Sequence, residues 1–255
     1  MRTFDTGRPM AAQLVYSADS RTLAANTREN YRVRLVWLWE VGGDSAQRLR
    51  FDPADYHPLL TYDEVVTGRR VVPPPVTLPR RTNYRSNRVC YRRAADAPVF
   101  GWLARYYPSG FGPDRPTVFT VRVLDPAGRC SHPPIEWEST RYPVGEPQLA
   151  LDADGSRAAV AAGTRIRVWR VASAEVLASL SHRRQVPASC AFSADGRKFG
   201  VLFQDAVWLY DTITWRVATT LRCPIGRLRT LAFAPDGTTA AASSDRGKVV
   251  VFDLE

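Results

Sequence analysis

The chain has 255 residues, 45% apolar and 24% charged, a balance that suits a folded globular protein and is too apolar for a disordered one. Its formal net charge is +10, from 35 Lys plus Arg against 25 Asp plus Glu, and since only Lys198 and Lys248 are lysines the excess is arginine. No run approaches the roughly 18 apolar residues of a membrane span, and the opening ten residues lack the apolar core of a secretory signal, so a soluble cytoplasmic protein is expected.

Residues 13–41 read as three strands joined by turns: Gln13 to Tyr16 before Ser17-Ala-Asp-Ser20, the small apolar Thr22 to Ala25, and Val33 to Trp39, rich in β-branched and aromatic side chains. Residues 42–87 break the pattern with His57-Pro58, Pro73-Pro-Pro75 and Pro79-Arg-Arg81. Proline cannot donate to a strand ladder, so this stretch reads as an irregular Pro/Arg-rich insertion or a degenerate repeat. Strand-like text resumes at 88–138, with candidate strands at Arg88 to Arg92, Val99 to Ala104, Val118 to Leu124 and Arg129 to Trp137.

The last third repeats itself. Leu149 to Gly155, Cys190 to Gly196 and Leu231 to Gly237 begin 41 residues apart, and each ends in Asp-Gly, which supplies the positive φ that a tight hairpin needs. The units run 148–189, 190–230 and 231–255. The alanine runs at 158–162 and 239–243 favour helix by propensity, but turns bracket them so closely that they read as strands packed through small side chains.

These residues resemble the WD-repeat β-propeller family, whose four-stranded antiparallel blade has a Ser-Pro-Asp-Gly-like first turn and a Trp-Asp-like dipeptide closing its third strand. The turns are Ser193-Ala-Asp-Gly196 and Ala234-Pro-Asp-Gly237, with Ser17-Ala-Asp-Ser20 as a weaker copy. The dipeptide positions hold Trp39-Glu40, Leu124-Asp125, Trp169-Arg170, Tyr210-Asp211 and Phe252-Asp253. The resemblance implies an all-β protein over residues 1–255: a β-propeller of five recognisable blades, with room for a sixth in the 85-residue spacing from Glu40 to Asp125. It also implies that Arg2-Thr-Phe4 completes the last blade and closes the ring, alone or with another subunit. The histidine that this family often places before a first strand is matched by His182, with Asp205 as its expected partner.

The strongest signal outside the repeats is charge. Between Val65 and Ala95 stand eight arginines, Arg69, Arg70, Arg80, Arg81, Arg85, Arg88, Arg92 and Arg93, and no acid, with Tyr84 and Tyr91 interleaved. Such a surface suits an acidic protein partner or, as the alternative, nucleic acid; a solvated basic loop is the plain reading. Trp215, in the turn after Tyr210-Asp211, is a second candidate for partner binding, against packing on its own sheet. Cys90, Cys130, Cys190 and Cys223 are scattered and His57, His132 and His182 fall in different units, so neither a metal site nor a cofactor is expected. No nucleophile, phosphate-loop or zinc-hydrolase motif is present. The expectation is a non-catalytic protein-interaction scaffold, working alone or in a larger complex, with no membrane partner.

Overall fold

The computed structural model describes residues 1–7, 11–30, 33–43, 46–51, 90–93, 99–106, 116–125, 127–130, 132–139, 145–182 and 185–254. Its strands in chain order are β1 (Arg2–Asp5), β2 (Ala11–Tyr16), β3 (Thr22–Asn30), β4 (Val33–Glu40), β5 (Ala46–Phe51), β6 (Cys90–Arg93), β7 (Phe100–Tyr106), β8 (Thr117–Leu124), β9 (Ile135–Ser139), β10 (Gln148–Leu151), β11 (Arg157–Ala162), β12 (Arg165–Arg170), β13 (Glu175–Ser181), β14 (Ser189–Phe192), β15 (Lys198–Leu202), β16 (Ala206–Asp211), β17 (Val217–Arg222), β18 (Leu228–Phe233), β19 (Thr239–Ser244) and β20 (Lys248–Asp253). They form five four-stranded antiparallel sheets among the described residues: β2-β3-β4-β5, β6-β7-β8-β9, β10-β11-β12-β13, β14-β15-β16-β17 and β18-β19-β20-β1. Four are simple meanders. The fifth takes its last strand from the beginning of the chain, with Arg2 opposite Val251 and Asp5 opposite Lys248.

The chain divides into two compact units, Met1–Val71 with Ala188–Glu255, and Val72–Pro187. In the first unit, Phe4, Leu14, Leu23, Trp39, Ala241, Val249 and Val251 pack the β2–β5 sheet against the β1/β18–β20 sheet. On the other side of the latter sheet, Leu202, Val207 and Leu209 meet Leu231, Ala240, Val250 and Phe252. In the second unit, Leu103, Phe119, Ile135 and Trp137 of β6–β9 pack against Leu149, Val160 and Trp169 of β10–β13.

A shared register explains the alanine-rich second strands. Opposite the residues that close the third strands, Trp39, Leu124, Trp169, Tyr210 and Phe252, stand Leu23, Phe100, Ala158, Phe199 and Ala240. The next position is small and buried in all five: Ala24, Gly101, Ala159, Gly200 and Ala241. At the glycines the reason is plain. A Cβ on Gly200 would lie 2.5 Å from Leu231 Cδ2 and 3.0 Å from the Phe233 ring, and one on Gly101 3.0 Å from Leu149 Cδ2. Sheets pack this closely only where one strand presents almost no side chain.

One expected boundary moves. The segment 42–87 begins with a regular strand: β5 pairs with β4, setting Ala46 opposite Trp39, Arg48 opposite Trp37 and Leu49 opposite Val36. The turn through Gly42 and Gly43, closed by the Gly43 N–H to Glu40 O bond of 3.0 Å, brings it back. Residues 52–87 lie outside the described residues.

Candidate interaction surfaces

The carboxylates at the sheet ends hold the turns. Ser193 donates its N–H to Lys198 O (2.9 Å), its Oγ accepts the Lys198 N–H (2.9 Å) and donates to Asp195 Oδ1 (2.6 Å), and that oxygen accepts the Arg197 N–H (3.0 Å). Ser17, Asp19, Arg21 and Thr22 repeat the pattern. Asp152 takes the serine's place in the β10-β11 turn, accepting the Arg157 N–H at 2.9 Å and its Nε at 2.7 Å. In the β18-β19 turn the position is Ala234, and Asp236 alone caps Thr238. The left-handed residue of each turn is Gly155, Gly196, Gly237 or, at φ 61°, Ser20, whose hydroxyl accepts the Asp236 N–H at 3.0 Å.

These bonds set the protonation of the turns. The Ser17 hydroxyl holds the Asp19 carboxyl below the usual range, and the Ser156 N–H does so for Asp154. Burial alone would raise Asp195, but the Ser193 hydroxyl and the Arg197 N–H outweigh it and the carboxyl is held low. In the closing dipeptides, Asp211 accepts the Thr214 N–H at 2.7 Å and the Ile213 N–H at 3.1 Å, and Asp125 accepts the Arg129 N–H at 2.9 Å; both are lowered, chiefly by those backbone donors. Arg170 stands where the acid is elsewhere, and it pairs with Glu175, so the charges are exchanged and the link is kept.

Of the residues singled out by sequence, Arg69, Arg70, Arg80, Arg81, Tyr84, Arg85 and Arg88 lie outside the described residues, and Tyr91, Arg92 and Arg93 belong to β6. Trp215 has a left-handed backbone (φ 55°), donates its N–H to Asp211 O at 2.8 Å, and lies half-buried with its ring edge-on to Phe199 at 6.0 Å. The most exposed apolar side chain beside it is Ile213, at 85%.

A feature that sequence reasoning missed lies within the second unit. A cleft of about 250 Å³ is lined by Trp137 of β9, Arg165, Ile166 and Arg167 of β12, and Ser179, Leu180 and Ser181 of β13. Arg165 is paired with Ser181 and Arg167 with Ser179, so the four polar side chains share one face of the hairpin. The Arg167 guanidinium lies over the Trp137 ring, 5.2 Å from its centroid. Trp137 is itself held by Phe119 at 5.4 Å and Trp169 at 6.0 Å, and its Nε1 is buried without a hydrogen-bond partner. The signal in the sequence is faint: two Arg-x-Arg positions and two Ser-x-Ser positions that only the strand register brings together.

Comparison with known proteins finds relatives for part of the chain. A family model described as the second β-propeller of WD repeat-containing protein 75 matches residues 180–242, which include the whole β14–β17 sheet. WD repeat-containing protein 75 from Danio rerio is 42% identical over 53 residues, which are 21% of this chain and 6% of that protein. Over that stretch the repeat unit is similar to those of WD-repeat β-propellers.

The variable dipeptide keeps a structural role in three of the sheets: Asp125, Arg170 and Asp211 each bind residues that follow the third strand. His182, at the family's histidine position, is buried and its N–H donates to Thr164 O at 2.8 Å; burial pushes its pKa below the ordinary value. Asp205, in the other unit, accepts the Cys223 N–H through its carbonyl at 2.9 Å. Cys130 and Cys223 are free thiols, and burial, with the Asp205 charge adding, pushes Cys223 up to about 12. Among the described residues no group of His, Cys, Asp and Glu is placed to hold a metal ion, and no helix is long and apolar enough to cross a membrane.

Proposed function

We propose that this chain is a non-catalytic interaction platform inside the cell, its five blades arranged as a propeller closed by β1 and its loops presented to a protein partner. The reading is carried by the WD-repeat blade itself, a unit whose polar groups brace its own turns and so hold the loops in a fixed geometry. WD-repeat propellers act typically as scaffolds. The matched stretch is 6% of the zebrafish protein, so that protein's own role is not carried over.

The partner proposed for the segment 65–95 is an acidic protein surface, recognised by the eight arginines with Tyr84 and Tyr91. Copurification from the native host should recover a partner. Replacing Arg69, Arg70, Arg80, Arg81, Arg85 and Arg88 by Gln should then weaken binding by about tenfold or more while the thermal midpoint moves little. A large loss of stability would instead make the segment part of the fold. The interleaving of arginine and tyrosine supports a second reading, binding of single-stranded nucleic acid. Unrelated RNA or DNA that displaces the partner at physiological salt would favour that reading, and failure to compete would remove it.

A further inference from the structure

Within the second unit three arginines are neutralised where they stand: Arg129 sits on Asp125, Arg157 on Asp152 and Arg170 on Glu175. Arg165 and Arg167 differ. No carboxylate lines their cleft, and among the described residues neither has an ion-pair partner. We propose that this cleft binds a phosphate monoester carried by a protein partner, a proposal that rests on the platform reading only for the ligand being a protein.

The geometry favours that ligand. Two residues apart on one face of β12, the guanidinium groups branch from backbone positions roughly 7 Å apart, about the width of a phosphate with an N–H···O bond on either side. The cation–π contact with Trp137 holds the Arg167 guanidinium at the cleft by the ring face and leaves its N–H donors available to an oxyanion. Ser179 and Ser181 add two hydroxyl donors on the same face. A carboxylate offers two oxygens and one charge, whereas a phosphate monoester offers three oxygens and about −1.5 to −2 charges, which better matches two guanidinium groups and a ring of donors. At about 250 Å³ the cleft takes one phosphorylated side chain. It is below the roughly 300–1,000 Å³ of sites that enclose drug-sized ligands, which disfavours a whole nucleotide.

The test is fluorescence anisotropy on the full chain with a fluorescein-labelled peptide bearing one phosphoserine in uncharged flanks, its unphosphorylated twin, and inorganic phosphate as competitor. The phosphopeptide should bind at least about tenfold tighter than its twin. Arg165→Gln should remove most of that preference and R165Q/R167Q all of it, while the thermal midpoint of Arg165→Gln stays within about 2 °C of the parent. Because Arg167 packs on Trp137, Arg165→Gln carries the decision if the double variant fails to fold. Equal binding of the two peptides overturns the proposal, as does a preference that survives in Arg165→Gln. Displacement by inorganic phosphate at the phosphopeptide's own affinity overturns it too, since the cleft would then bind the free ion. If a protein copurifies but the phosphopeptide does not bind, only the cleft is refuted. If the phosphopeptide binds through Arg165 and no protein copurifies, only the platform is.

Discussion

Gly200 and Gly42 are both exempt from a Cβ, for different reasons. A methyl group at Gly200 would meet Leu231 and Phe233 across the packed sheets, whereas nothing lies within 4 Å at Gly42. Gly200→Ala is expected to lower stability by about 1–3 kcal/mol in denaturant unfolding, and Gly42→Ala to change it by less than about 0.5 kcal/mol. Equal effects would contradict the close approach. His182 gives a pH dependence. Its folded pKa lies below the unfolded value near 6.5, so the unfolded chain takes up the proton first. The stability that its neutral form contributes is therefore full above pH 6.5, and it declines as the pH falls below that until the folded ring itself protonates. Urea midpoints measured from pH 8 to 5 should fall for the parent and fall less for His182→Gln; parallel curves would show that another group is responsible.

At the scale of the element, the first turn of four of the sheets is a small hydrogen-bonded machine, and its members predict one another. Ser17 and Ser193 supply a hydroxyl that Ala234 lacks, yet Ala234 sits in the same backbone frame, with its N–H on Thr239 O at 2.9 Å. Ala234→Ser should stabilise the protein by about 0.5–1 kcal/mol in thermal unfolding, and Ser193→Ala should destabilise it by about 1–2 kcal/mol. A loss in both would mean that the buried Ala234 site has no room for an oxygen. Much of the blade pattern was legible because these turns need Asp and a left-handed residue at fixed positions, which stamps a 41-residue ruler on the chain. β5 was less legible: its Gln47, Arg48 and Leu49 carry little alternation, and pairing with Trp37 and Trp39 rather than its own composition makes it a strand. The cleft was not legible, because Trp137 and Arg167 meet through sheet packing and nothing in their local sequence records that contact. Trp215 had two readings in sequence; the edge-on contact with Phe199 shows how a turn residue finds a neighbour on its own blade.

At the scale of the molecule, β1 covers the edge of β20 along Arg2 to Asp5, and Thr6 continues the join through its N–H and Oγ1 to Gly247 O at 3.0 and 2.9 Å. Removing residues 1–5 would leave the Lys248–Asp253 edge unpaired. The truncated protein should melt earlier and scatter light at concentrations where the full chain stays clear. An unchanged melt would mean that the strand adds nothing beyond its four pairs.

That same join sets a timetable. Phe4 faces Val249 across the sheet, so β1 has no partner until β20 has been made. The contact spans almost the whole chain, and closing so long a loop makes it a late event in refolding as well. The Met1 amino group lies 3.5 Å from Asp253, so a short linker can join the ends and the chain can be reopened before Thr6. In that permutant β1 follows β20 as an ordinary hairpin, and the slowest refolding phase of the parent should become faster with little change in final stability.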